Sequence, residues 1–69
     1  MQTLLVIDDE PSICKAFERA FSSESVNVLT ANSGGHGERM FRENRPDVVV
    51  LDLSLPDENG LELFARLRE

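Results

Sequence analysis

A single cysteine, Cys14, leaves the chain no means of forming an internal disulfide, so its stability has to come from packing alone. Long apolar stretches are missing as well. The longest, residues 4–7 and Val48–Leu51, fall far short of the ~20 residues that cross a bilayer as a helix, and no membrane segment is expected. Positive charge is scarce. Seven Lys and Arg stand against thirteen Asp and Glu, a formal net charge of -6, which is the wrong sign for holding a phosphate backbone. This segment is therefore not expected to bind nucleic acid. The N-terminus enters a strand pattern without a basic stretch and apolar core before it, so no secretory signal is read and a cytoplasmic location is expected. No repeat, linker or low-complexity tract is visible.

The 69 residues are 41% hydrophobic and 29% charged, the composition of one small soluble globular domain. A domain of this size buries only about 60% of its unfolded surface, so there is little core to spare. Residues 3–7 favour a strand, and Pro11 stands at or near the first position of a helix whose apolar face is Ile13, Ala16, Phe17, Ala20 and Phe21. Polar residues 22–25 make a turn before a second strand at Val26–Ala31, with Val26, Val28 and Thr30 on one side. Ser33 is a candidate cap for a second helix reaching about Asn44, with Met40 and Phe41 inward. Gly34, Gly35 and Gly37 each disfavour a helix by about 1 kcal/mol, and residues 34–37 lack the spacing of a nucleotide-binding phosphate loop, so they are read as a mobile loop. Arg45-Pro46 ends that helix, and residues 48–53 form a third, buried strand introduced by Asp47. Gly60 opens a last helix with Leu61, Phe64, Ala65 and Leu67 inward. Cys14 is read as a structural thiol, and Met40 and the four phenylalanines as core.

Strand and helix thus alternate three times, over connections short enough to imply parallel strands and right-handed crossovers. The fold class expected is α/β, a flavodoxin-like doubly wound sheet in the order 2-1-3, with its ligand crevice between strands 1 and 3. Asp8 and Asp9 end the first strand and Asp52 ends the third. Side by side, those ends bring three carboxylates close together, and their mutual repulsion favours a hard divalent cation. Phosphoryl chemistry is the activity such a cluster suggests.

LLVIDDEPS and VVVLDLSLPDENG, in this order and each followed by a helical pattern, resemble the receiver domain of two-component response regulators. The resemblance covers essentially the whole chain. It implies that Asp52 is the nucleophile that takes a phosphoryl group from a histidine kinase or phosphorelay donor, and that Mg2+ or Mn2+ is the cofactor. It also implies that Asp9 and Asp52 bind that metal directly, Asp8 through a metal-bound water, and Ser54 through its backbone carbonyl. A complete receiver has two further βα units, bearing a Ser or Thr and then a Lys at the site. Residues 1–69 are therefore expected to be a partial receiver ending in or after its third helix, with the effector domain elsewhere in the parent chain.

Simpler readings stand beside these. An isolated Asp8 or Asp9 could cap the first helix, Asp52 could be a turn residue, and Glu10 a partner of the helix dipole. Pro56 and Gly60 are read as shaping the loop, and His36 as a lone histidine without partner ligands. A phosphotransferase of the haloacid-dehalogenase type also uses a strand-end Asp nucleophile, but it wants Asp-x-Asp, whereas Asp8 and Asp9 are adjacent. A pseudo-receiver, a pure interaction module, is the third possibility. Finally, the uncharged third strand would be an open edge, which predicts a homodimer of the fragment.

Overall fold

The computed structural model describes residues 1–69 and contains six elements. These are β1 (Gln2–Ile7), α1 (Pro11–Phe21), β2 (Val26–Ala31), α2 (Gly34–Asn44), β3 (Val48–Leu51) and α3 (Gly60–Leu67). The three strands are parallel in the order β2-β1-β3, the architecture and order read from the sequence. In register, Ile7 of β1 lies between Ala31 of β2 and Leu51 of β3, so all three strands finish at the same level. Whatever follows them is delivered to one end of the sheet.

Central β1 alternates between two cores, as the two-residue period of a strand dictates. Leu5 and Ile7 join Ala31 and Leu63 on the face covered by α2 and α3, with Met40, Phe41 and Leu67 packed around them. Leu4 and Val6 join Cys14 on the opposite face, under α1, with Phe17, Val26, Val28 and Val50. The sheet is thus wound on both sides.

Several local expectations are corrected. β3 stops at Leu51, and it is half-buried rather than buried because no further strand or helix in these residues covers its outer edge. Leu53, beyond it, is 55% exposed. In α3 the fully buried residue is Leu63, while Leu61 and Phe64 are exposed; the Arg68 guanidinium lies over the Phe64 ring at 5.5 Å. In α1 the inward residues are Cys14 and Phe17. Ala16 and Ala20 face solvent, and Phe21 stacks on Phe17 but stays half exposed.

Residues 34–37 are helical. Ser33 caps them by accepting from the His36 N–H at 3.2 Å, and Gly37 is there because α2 runs against β1. A Cβ at Gly37 would lie 2.6 Å from Ile7 Cδ1. Arg45 ends the helix in the left-handed region, at φ 45°, as its last N–H donates to Phe41. Asp47 then ties the start of β3 to β1, its carboxylate accepting from the Thr3 N–H at 2.7 Å.

Candidate functional site

Each carboxylate of the acidic cluster reaches the end of the sheet for a local reason. Asp8 follows the last residue of β1 and continues the ladder, its N–H donating to Ala31 at 2.9 Å. Asp52 does the same after β3, donating to Ile7 at 2.9 Å. Adjacent strand ends therefore hold both backbones rigidly, and Asp9 is one residue further along. Oxygen atoms of Asp8, Asp9 and Asp52 all lie within 4.8 Å of one another, so the structure brings together the three carboxylates singled out in the sequence.

Hydrogen bonds divide the oxygens of this cluster between structure and ligand. Asp8 Oδ1 accepts from the Glu10 N–H at 2.9 Å, the turn that leads into α1, while Glu10 occupies the cap position without a side-chain cap bond. Neither Asp8 nor Asp9 is the cap of that helix. Asp52 Oδ1 accepts from the Ser54 N–H at 3.1 Å, which bends the chain directly after β3. One further oxygen of each residue is left for a ligand, and the exposed Asp9 carboxylate adds a third donor group. Three hard oxygen donors converging at one point suit Mg2+ or Mn2+, so the residues present fit the expected cation.

The loop after Asp52 is closed on itself. Ser54 pairs with Asn59 in an isolated antiparallel bridge, and the Gly60 N–H donates to Leu53 at 2.9 Å. Asn59 then caps α3 through the Leu61 N–H at 2.7 Å. Gly60 is required at the turn because a Cβ would overlap the Asp52 carbonyl oxygen and lie 2.7 Å from Leu53 Cα. The loop-shaping role given to Gly60 thus has a steric cause.

Beside the cluster, a cleft of about 230 Å³ lies between α1 and the start of α2, lined by Asp8, Cys14, Lys15, Glu18, Asn32 and His36 among others. His36 is engaged locally with Asn32, at 3.3 Å to its side-chain oxygen. Cys14 donates weakly to the Asp8 carbonyl at 3.4 Å, and burial is the main cause that pushes its thiol pKa up, with the charges of Asp8 and Glu18 adding to it. It is structural, as its position in the sequence suggested.

Sequence reasoning missed two residues, Asp57 and Glu58. The Asp57 carboxylate accepts from the Gly34 and Gly35 N–H groups, and these bonds hold it below the usual carboxylate range. Glu58 takes both arms of the Arg66 guanidinium, at 2.7 Å each. No local pattern marks either one, because their partners belong to other elements.

The family model for the response regulator receiver domain matches residues 4–69. The transcriptional regulatory protein KdpE of Mycobacterium tuberculosis is 43% identical over 68 residues, which are 99% of this chain and 30% of KdpE. AfsQ1 of Streptomyces coelicolor, also a transcriptional regulatory protein, is 41% identical over 99% of this chain and 30% of its own length. Among solved structures, a response regulator receiver domain protein of Clostridium thermocellum superposes with a TM-score of 0.89 at 33% identity, covering 99% of this chain and 56% of that one. The chain thus spans less than a third of these curated relatives and about half of that solved receiver. With the family model matched nearly end to end and the 2-1-3 parallel sheet in place, the chain belongs to the response regulator receiver family.

Proposed function

We propose that these residues are the phosphoacceptor part of a two-component signalling protein, with Asp52 as the residue that takes the phosphoryl group. The observation that carries this reading is the convergence of Asp8, Asp9 and Asp52 within 4.8 Å, at the ends of two neighbouring parallel strands, in a chain of the receiver family. Asp9 and Asp52 would hold a Mg2+ or Mn2+ ion directly, with Asp8 acting through water and the Ser54 carbonyl as the remaining protein ligand. When bound, such an ion would supply charge neutralisation and orientation for the transferring phosphoryl group. One Asp52 carboxylate oxygen attacks phosphorus while the other is left for the cation. The bond to the donor's nitrogen or oxygen breaks with its electron pair, and an aspartyl phosphate results.

The donor is a histidine kinase or a phosphorelay protein. The readout is a conformational change passed to an effector domain outside these residues, and the transcriptional regulators among the relatives support a transcriptional output. The chain accepts phosphate stoichiometrically and is not a turnover enzyme. It works in the cytoplasm, and its charge of -6 argues against nucleic-acid contact through this segment. No helix is long and apolar enough to cross a membrane. On its own, the 69-residue polypeptide pairs with a second copy along the open edge of β3.

Magnesium titration and intact-mass measurement after acetyl phosphate treatment test the site together. Binding is expected to be weak, on the order of millimolar, because the protein offers few ligands. Asp52→Asn should abolish both the metal response and the single phosphoryl adduct. The only lysine, Lys15, lies on α1, so this polypeptide should be labelled more slowly than a longer chain bearing the receiver lysine beyond residue 69. Steady turnover of a phosphomonoester would point instead to a dehalogenase-type enzyme, and a chain indifferent to magnesium would be a pseudo-receiver.

A further inference from the structure

Asp57 and Glu58 form the tip of the loop that runs from Asp52 to Gly60, and both are tied to other elements. The Asp57 carboxylate accepts from the Gly34 N–H at 2.7 Å and the Gly35 N–H at 2.9 Å, two amides that a helix cannot satisfy internally. A residue 23 positions away thereby completes the cap that Ser33 begins. Glu58 is gripped by Arg66 of α3, whose Nε also donates to Glu38 of α2 at 3.1 Å. Glycine at 34 makes room for this. A Cβ there would lie 2.7 Å from Glu58 Cγ.

The tip is therefore held by α2 and α3 together, while the base of the same loop carries Asp52 and Ser54. Between tip and base the loop has little slack, because the Ser54–Asn59 bridge and the bond from Gly60 to Leu53 close it. We propose that Asp57 is a positioning residue for the cation site: by fixing the loop tip on the first turn of α2, it sets the direction of the Ser54 carbonyl and the Asp52 carboxylate. This rests on the cation reading given above. Magnesium demands near-ideal octahedral geometry, so a small displacement of either ligand is felt as lost affinity. Removing a group that orients metal ligands typically weakens binding by about tenfold or more.

The test is a titration of the chain with MgCl2, followed by amide NMR spectra of the wild type, Asp57→Ala, Asp57→Asn and Asp52→Asn. Asp57→Ala should weaken binding by about tenfold while still unfolding cooperatively, and Asp57→Asn, which keeps one acceptor oxygen, should recover part of the loss. In the wild type, the Gly34 and Gly35 amides should shift in step with that of Ser54. A purely structural role would lower thermal stability and leave the dissociation constant alone, so unchanged affinity in folded Asp57→Ala overturns the proposal. Should that variant fail to fold, the wild type decides: Gly34 and Gly35 amides that stay still while Ser54 moves also overturn it. A wild type silent to magnesium, or an Asp52→Asn that binds normally, overturns the cation reading itself, an outcome distinct from failure of the Asp57 role alone.

Discussion

Gly37 shows how a residue that weakens a helix locally can be required by packing. Alanine would gain about 1 kcal/mol of helix propensity at that position. Its Cβ, however, would lie 2.6 Å from Ile7 Cδ1, and Ile7 is fully buried at the end of β1 with nowhere to retreat. Overpacking of this kind costs about 1–3 kcal/mol, so Gly37→Ala should lower the urea midpoint; a raised midpoint would show that α2 can lift away from the sheet. The glycines looked like a loop in the sequence because propensity is a local quantity and this contact is not. Asp57 was illegible for the same reason, since its partners lie 22 and 23 residues away. By contrast, the acidic cluster could be read directly. Asp8 and Asp52 each directly follow an uninterrupted apolar strand pattern, with Asp9 next after Asp8, and parallel pairing of those strands is enough to bring the three together.

Among the elements, existence and order were legible from apolar runs and breakers, but which side of a helix faces inward was not always so. In α3 both Leu61 and Leu63 are leucines in an amphipathic stretch, and only the docking of α3 beside α2 selects Leu63 for full burial. Leu63→Ala should therefore cost about 2–5 kcal/mol, whereas Leu61→Ala, at a position 59% exposed, should change stability by less than about 0.5 kcal/mol. Denaturant unfolding of the two variants checks this, and similar losses in both would refute the docking of α3. The attachment of α2 also depends on charge. Backbone bonds from Gly35 and Gly34 hold the Asp57 pKa down, and hydrogen bonds from Arg66 and then Arg42 do so for Glu38. A carboxylate with a lowered folded pKa stabilises fully above its ordinary value of about 4, and that contribution is lost as pH falls through the folded value. Unfolding midpoints measured downward from pH 5 should fall, and Asp57→Asn should flatten part of that decline. A profile identical to wild type would remove Asp57 from it.

At the scale of the molecule, the 69-residue polypeptide leaves one side of its sheet unfinished. β3 is an edge strand of four apolar residues, and beside it a groove of about 230 Å³ is lined by Phe41, Val49, Leu51, Phe64, Leu67 and Arg68. The other edge, β2, is less suited to pairing, because it carries the polar Asn27 and Thr30. An apolar edge without an intervening charge is a template for another chain, and two copies of β3 related by a two-fold axis would each complete the other's hydrogen bonding while covering both grooves. Sedimentation over a concentration series should accordingly show a monomer–dimer equilibrium. The choice of variant follows from burial: Val50 packs into the core under α1, whereas Val48 is 55% exposed, so Val48→Lys places a charge on the edge with least disturbance inside. That change should shift the equilibrium toward monomer by at least tenfold, about 1.4 kcal/mol of association free energy. A wild type that stays monomeric at high concentration removes the dimer altogether, and a Val48→Lys dimer of unaltered affinity moves its interface away from β3.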